Sequence, residues 1–133
     1  MAKRIATCSC DNVRVTCAGE PFRLSMCHCF ACQRRTGASF GVQCWFRRDQ
    51  VKFAGESTAC VRAVDNGNRV TYQFCPRCGW TVYWKSKHKP DAVAVALGMF
   101  ADPNIPPPRV SVWERRQHPW TVHIAQCQME HNA

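Results

Sequence analysis

Apolar and polar positions alternate with a period of two through most of this chain, in short runs. Val13, Val15 and Cys17 fall on one face of a strand predicted over Val13 to Cys17. Gly19-Glu20-Pro21 interrupts it, and Phe22 to Met26 alternates again. Phe30 to Thr36 has room for one or two helical turns, stopped at Gly37. Ala38 to Phe46 predicts a longer strand rich in Phe, Val, Cys and Trp, and Val51 to Phe53 a short one ended by Gly55.

Thr58 to Val64 and Arg69 to Phe74 flank Asp65-Asn66-Gly67-Asn68. This is a hairpin signal, because Asn and Gly tolerate the positive φ of a tight turn. Trp80 to Trp84 predicts the next strand, and Lys85, Lys87, Lys89 and Asp91 a charged connector after it. Ala92 to Leu97 reads as a small apolar strand closed by Gly98, and Asp102-Pro103-Asn104 as a turn. Pro106-Pro107-Pro108 must be extended, having no amide hydrogens to share. Val110 to Trp113 and Trp120 to Ile124 predict the last two strands, and the tail 125–133 is expected to fray. Short strands separated by turn signals, without repeat or linker, predict one all-β domain spanning 1–133.

Composition changes this picture in one respect. Eleven cysteines in 133 residues is far more than packing requires. The start, Met1-Ala2-Lys3-Arg4-Ile5-Ala6, has no apolar segment of the secretory kind, so the cysteines point to metal binding in a reducing cytoplasm rather than to disulfides. No apolar run approaches the ~20 residues of a membrane span. Lys plus Arg is 18 against 9 Asp plus Glu, a formal charge of +9. Seven thiolates and two Zn²⁺ would lower that to roughly +6, still basic. Such a charge favours anionic small molecules or nucleic acid. The basic residues are dispersed, with no basic stripe interleaved with aromatics, which argues against nucleic acid. No pattern bears on oligomeric state.

The cysteines fall into clusters. Cys27, Cys29 and Cys32 form C-x-C-x-x-C at the end of a predicted strand. In extended chain Cys27 and Cys29 point to one face, and a helical turn brings Cys32 back towards them. Three thiolates suit zinc and leave its fourth position open for water or substrate. Cys75-Pro76-Arg77-Cys78-Gly79 is a zinc-knuckle pattern that needs two more ligands. Cys8 and Cys10, as i and i+2 on a strand face, can supply them, and four protein ligands would make that site structural. Spacing alone also allows Cys8 and Cys10 to join Cys27 and Cys29. His28 lies between two ligands and should point the other way, into packing around the site. Cys17, Cys44, Cys60 and Cys127 stand alone and are read as packing residues.

These motifs make the chain similar to the family of glutathione-dependent formaldehyde-activating enzymes, which shares its domain with the centromere protein V group. The matching residues are Cys8-Ser9-Cys10, Cys27-His28-Cys29-x-x-Cys32-Gln33-Arg34-Arg35-Thr36-Gly37 with Phe40, and Phe74-Cys75-Pro76-x-Cys78-Gly79. The Gly98 to Pro103 turn, Trp113, Pro119 and Trp120 complete the set, over about residues 8–124. The resemblance implies an Mss4-like fold of several small coiled antiparallel sheets around two zinc sites. It pairs Cys8, Cys10, Cys75 and Cys78 as the structural ligands and Cys27, Cys29 and Cys32 as the catalytic ones. The implied activity is that of a carbon–sulfur lyase, condensing glutathione with formaldehyde reversibly to S-hydroxymethylglutathione. Arg34 and Arg35 become candidates for holding the carboxylates of glutathione. The chain departs from the family's usual Gly-Ala with Asp11-Asn12, and from its usual Leu-Asp-Asp-Pro with Phe100-Ala101-Asp102-Pro103. Two other expectations compete with this one: the same site acting on another thiol or electrophile, and a non-enzymatic zinc module binding nucleic acid or protein.

Overall fold

The structure, a computed structural model, describes residues 2–63 and 67–132. Its strands are β1 (Lys3–Thr7), β2 (Arg14–Ala18), β3 (Arg23–Cys27), β4 (Gly41–Arg47), β5 (Val51–Ala54) and β6 (Thr58–Ala63), then β7 (Arg69–Phe74), β8 (Thr81–Ser86), β9 (Lys89–Ala96) and β10 (Val110–Val112). One short helix, α1 (Phe30–Thr36), joins β3 to β4. Gly37 ends it in the left-handed conformation at φ 68°, with its amide on the Gln33 carbonyl.

The strands form two sheets, one of order β1-β2-β5 and one of order β10-β3-β4-β9-β8-β7-β6. The fold is therefore mainly β, as expected. The larger sheet has seven strands, antiparallel except for one parallel pair, β10 beside β3.

The two faces of the larger sheet differ because its central strand alternates two residue sizes. In β9, Val93 and Val95 face one way, and Ala92, Ala94 and Ala96 the other. The valines pack with Leu24, Cys44 and Phe46 against Val15, Cys17 and Val51 of the smaller sheet and Val13 just before β2. Phe46, Val93 and Val95 are fully buried there. Each such side chain contributes about 1.5–3 kcal/mol, so this face holds the sheets together. On the alanine face, Ala94 lies in register between Trp45 of β4 and Trp84 of β8. The small residues let the two rings pack down on this face.

The boundaries agree with the alternation in most places, and four differences have physical reasons. First, β1 was not expected, because it opens with Lys3 and Arg4; it forms because it pairs with β2 along its length and buries Ala6 completely. Second, the charged connector is a hairpin: β9 starts at Lys89, and Ser86 pairs with Lys89. Lys89, Pro90 and Asp91 are exposed there, so their polarity fits a strand end as well as a loop. Third, Trp120 to Ile124 is not a strand but lies in 3-10 turns over Thr121–Gln126. Trp120, Val122 and Ile124 are all exposed, so the alternation there has no sheet to face. Fourth, Cys8 to Cys10 is a turn rather than a strand. The Asp65-Asn66 half of the predicted hairpin turn lies outside the described residues, but β6 and β7 do pair, from Thr58↔Phe74 to Ala63↔Arg69.

Candidate metal centres and active site

The turn after β1 carries Cys8 and Cys10. Asp11 there adopts a left-handed φ of 65°, its amide bonds the Cys8 carbonyl, and the Cys8 amide bonds the Val13 carbonyl. A loop rather than a strand face thus brings the two sulfurs together. The turn after β7 carries Cys75 and Cys78, with the Gly79 amide 2.7 Å from the Cys75 carbonyl. The Sγ atoms of Cys8 and Cys10 are 3.7 Å apart, and those of Cys10 and Cys75 3.6 Å. A tetrahedral zinc with Zn–S of ~2.3 Å would set its sulfurs about 3.8 Å apart, so the cluster fits the ion. Val13 N–H donates to Cys8 Sγ at 3.2 Å. Burial pushes the Cys75 thiol up, but hydrogen bonds from the Asn12 amide and the Cys78 and Arg77 N–H groups outweigh it and bring it down to about 6. Asn12, one of the departures from the family pattern, therefore has a place: its Nδ2 lies 3.4 Å from Cys75 Sγ and 2.9 Å from the Glu56 carbonyl.

The second cluster is built by the β3–α1 junction. Cys27 ends β3, Cys29 is the extended N-cap residue of α1, and Cys32 sits buried in the first turn. Cys32 N–H donates to Cys29 Sγ at 3.3 Å, so the sulfur caps the helix. The three sulfurs lie within 4.8 Å of one another, and among the described residues no fourth Cys, His, Asp or Glu joins them. Hydrogen bonds from the Cys27 and Cys32 thiols hold Cys29 as the thiolate, down at about 2, and push Cys32 far up in turn. Three sulfurs around one negative charge are the donor set of a thiophilic ion.

This triplet opens into a cavity of about 460 Å³ over the alanine face of the larger sheet. Trp45, Tyr72, Trp84 and Trp113 wall it, and Arg34, Arg62, His88, Lys89 and Arg116 line it with basic groups. Among the described residues no acidic one lines it. The ion pairs among the described residues, Arg4–Glu20 and Arg47–Asp49, lie elsewhere, and Lys89 Nζ sits 4.7 Å over the Trp45 ring. Burial pushes the Tyr72 phenol up to about 12, so it stays a hydrogen-bond donor at neutral pH.

The sequence profile described as "Glutathione-dependent formaldehyde-activating enzyme" matches residues 3–116. The chain belongs to that family. No curated protein matches the sequence. Among solved structures, a crystal structure of a Rhodobacter sphaeroides protein is similar at 17% identity and a TM-score of 0.54, over 71% of this chain and 85% of that one. At that identity the likeness speaks for the fold alone.

As a member of the glutathione-dependent formaldehyde-activating family, the chain brings each expected cysteine set together in space: Cys8, Cys10, Cys75 and Cys78 in one cluster and Cys27, Cys29 and Cys32 in the other. The alternative joining of Cys8 and Cys10 to Cys27 and Cys29 is not what the structure forms. His28 points away from the triplet, 1% exposed, its Nε2 3.0 Å from Ser111 Oγ. The two arginines separate. Arg34 lines the cavity, whereas Arg35 turns back over the Trp84 ring, 4.3 Å from its centroid. Cys17 and Cys44 are buried in the core as expected, and Cys60 is exposed.

Three contributors had not been read from the sequence. Gln33 ties α1 to the segment after β10: its Nε2 donates to the His28 and Arg116 carbonyls at 2.8 and 3.0 Å, and His118 Nε2 lies 3.1 Å from its Oε1. Gln43 and Tyr72 line the cavity. For Gln43 a signal existed, as the one polar residue in Val42-Gln43-Cys44-Trp45-Phe46. Tyr72 carried none, because an aromatic in a strand is ordinary core.

Proposed function

We propose that this chain is a zinc-dependent enzyme of carbon–sulfur lyase type, reversibly joining glutathione to formaldehyde as S-hydroxymethylglutathione, or performing closely related chemistry on another thiol or aldehyde. The observation that carries the reading is the three-sulfur cluster, short of a fourth protein ligand among the described residues, lining a cavity that Arg34, Arg62, Lys89 and Arg116 make basic. The four-cysteine cluster is complete in itself and takes the structural role. Zinc bound at the triplet supplies Lewis acidity, which holds a thiol as thiolate or polarises a carbonyl oxygen.

The protein's own groups do the rest. Cys27, Cys29 and Cys32 hold the ion at the end of β3 and the start of α1. Arg34, Arg62, Lys89 and Arg116 receive the carboxylates of the thiol, with Arg34 on the helix that carries Cys32 and Arg116 over the ring of Phe30 at its start. Arg35 supports the Trp84 wall rather than the substrate. Trp45, Trp84 and Trp113 exclude water and orient the two reactants, and the gain over the spontaneous reaction comes from that orientation. A reducing cytoplasm, where glutathione is abundant and thiols stay free, suits this chemistry.

The test is exchange spectroscopy of glutathione with formaldehyde on protein carrying two zinc ions, against Cys29→Ser. The wild type should exchange the pair well above the spontaneous rate, and the variant should fall to that rate while keeping the zinc of the four-cysteine cluster. Equal exchange in both, at the spontaneous rate, refutes the assignment. A DNA titration that stays flat at low salt removes the non-enzymatic nucleic-acid reading.

A further inference from the structure

Gln43 is 8% exposed, and its Oε1 is buried without a hydrogen-bond partner among the described residues. Burying an amide group in that state costs about 1–3 kcal/mol. A core position of that kind is normally filled by an apolar side chain, and its neighbours along β4, Val42, Cys44 and Phe46, are of that type. The place of Gln43 explains the exception. It lines the cavity together with Cys27, Cys29 and Cys32. Its backbone stands opposite Ser25, two residues before Cys27 on β3, and opposite Ala96 on the other side. Directly opposed residues of antiparallel strands share a face, so Gln43 belongs to the row beside Cys27 and Gly41, on the alanine side of the sheet. Ala96 is a small neighbour for the carboxamide on that side.

We infer that the Gln43 carboxamide reads the oxygen that the aldehyde contributes to the thiol adduct, and so makes the site specific for hydroxyalkyl thioethers over plain alkyl ones. The inference rests on the thiol–aldehyde reading above. A carboxamide presents one donor and one acceptor side by side. The hydroxyl of a hemithioacetal needs both: it accepts from Nε2 and donates to Oε1, while its sulfur remains at the triplet. An aldehyde oxygen before addition, or an alkoxide during it, takes the Nε2 donor alone. No covalent step passes through Gln43. The basic residues around the cavity take the anionic remainder of the thiol, and none of Arg34, Arg62, Lys89 or Arg116 is engaged by an acid among the described residues.

The experiment compares two stable ligands of nearly equal shape, S-(2-hydroxyethyl)glutathione and S-propylglutathione, by calorimetric titration into wild-type protein and into Gln43→Met, both with two zinc ions. The wild type should bind the hydroxyl-bearing ligand about tenfold more tightly, the loss expected when a buried polar group is left unpaired. Gln43→Met should bind the two alike and melt at the wild-type temperature or above it, because an unsatisfied amide has been replaced by an apolar chain of similar length. A purely structural glutamine would do the reverse, lowering the melting temperature and leaving the preference untouched. If Gln43→Met does not fold, Gln43→Asn, which withdraws the amide by one methylene, is read by the same ratio. Wild-type protein that exchanges glutathione with formaldehyde but shows no preference overturns the role of Gln43 alone. Wild-type protein that neither exchanges the pair nor binds either ligand overturns the proposed function, and the role of Gln43 with it.

Discussion

Gly55 offers a way to break the four-cysteine cluster without touching a sulfur. It follows β5 at φ +86°, and a Cβ added to it would lie 1.6 Å from the Asn12 carbonyl oxygen and 2.6 Å from the carbonyl carbon. Ordinary contact begins at 3.4 Å, and both atoms belong to backbone, so no rotamer relieves the clash. In Gly55→Ala the left-handed conformation alone costs about 1–2 kcal/mol. The chain segments must also part at the last β2–β5 pair, Arg14↔Ala54. Asn12 then loses its bonds to the Glu56 carbonyl and to Cys75 Sγ, each worth about 0.5–1.5 kcal/mol. The total is about 2–5 kcal/mol, a large part of the 5–15 kcal/mol of a typical domain. For a chain of 133 residues that lowers the melting temperature by roughly 8–20 °C. Native mass spectrometry should find the variant short of the zinc held by Cys8, Cys10, Cys75 and Cys78, with the triplet still loaded. Gly98→Ala is the control: a Cβ there meets nothing within 4 Å, and the substitution should be neutral. A Gly55→Ala protein that keeps two zinc ions and melts with the wild type would refute this reasoning.

Gln33→Ala removes three hydrogen bonds between α1 and its surroundings. It should cost about 1–3 kcal/mol in urea unfolding and should speed loss of zinc from the triplet to a chelator, leaving the other zinc unaffected. Burial pushes the core thiols Cys17 and Cys44 up to about 12 from an ordinary 9.0. Their stabilising effect is complete below pH 9 and is lost as pH rises towards 12, because the unfolded chain ionises first. Each therefore removes up to ~1.4 kcal/mol of stability per pH unit in that window, and Cys17→Val should flatten unfolding curves measured from pH 8 to 10.5. In the zinc-loaded native protein a thiol reagent should modify the exposed Cys60 rapidly and leave Cys17 and Cys44 untouched until unfolding.

The parts of this protein legible in the sequence were those set by local spacing. Cys27, Cys29 and Cys32 lie within one strand end and one helical turn, so their convergence follows from backbone geometry over six residues. The knuckle at Cys75 and Cys78 is local in the same sense. What spacing could not give was the conformation that delivers Cys8 and Cys10, because it depends on the left-handed Asp11 and on hydrogen bonds to Val13. Strands failed where pairing decides. β1 exists through β2, and the alternation of Trp120, Val122 and Ile124 has no partner strand to make it one. The cavity was hidden for a related reason. Its walls come from β4, β7, β8 and the segment after β10, and only the sheet order brings Trp45, Tyr72, Trp84 and Trp113 to one place. Ala92, Ala94 and Ala96 were readable as small strand residues, but not as the packing against Trp45 and Trp84, two of the cavity walls.

The parallel pairing of β10 with β3 has a consequence for synthesis on the ribosome. Val112 stands opposite Cys27, the His28 amide bonds the Val112 carbonyl, and Gln33 bonds the Arg116 carbonyl. The four-cysteine cluster has all its ligands once residue 78 has emerged, whereas the frame around the triplet waits for residues 110–118. On the proposed two-zinc reading, a nascent chain would therefore have the frame of the four-cysteine cluster complete before that of the triplet. A polypeptide stalled or clipped in the proline segment before β10 would carry the first ion and an unframed trio of thiols, folded in part but without a working site.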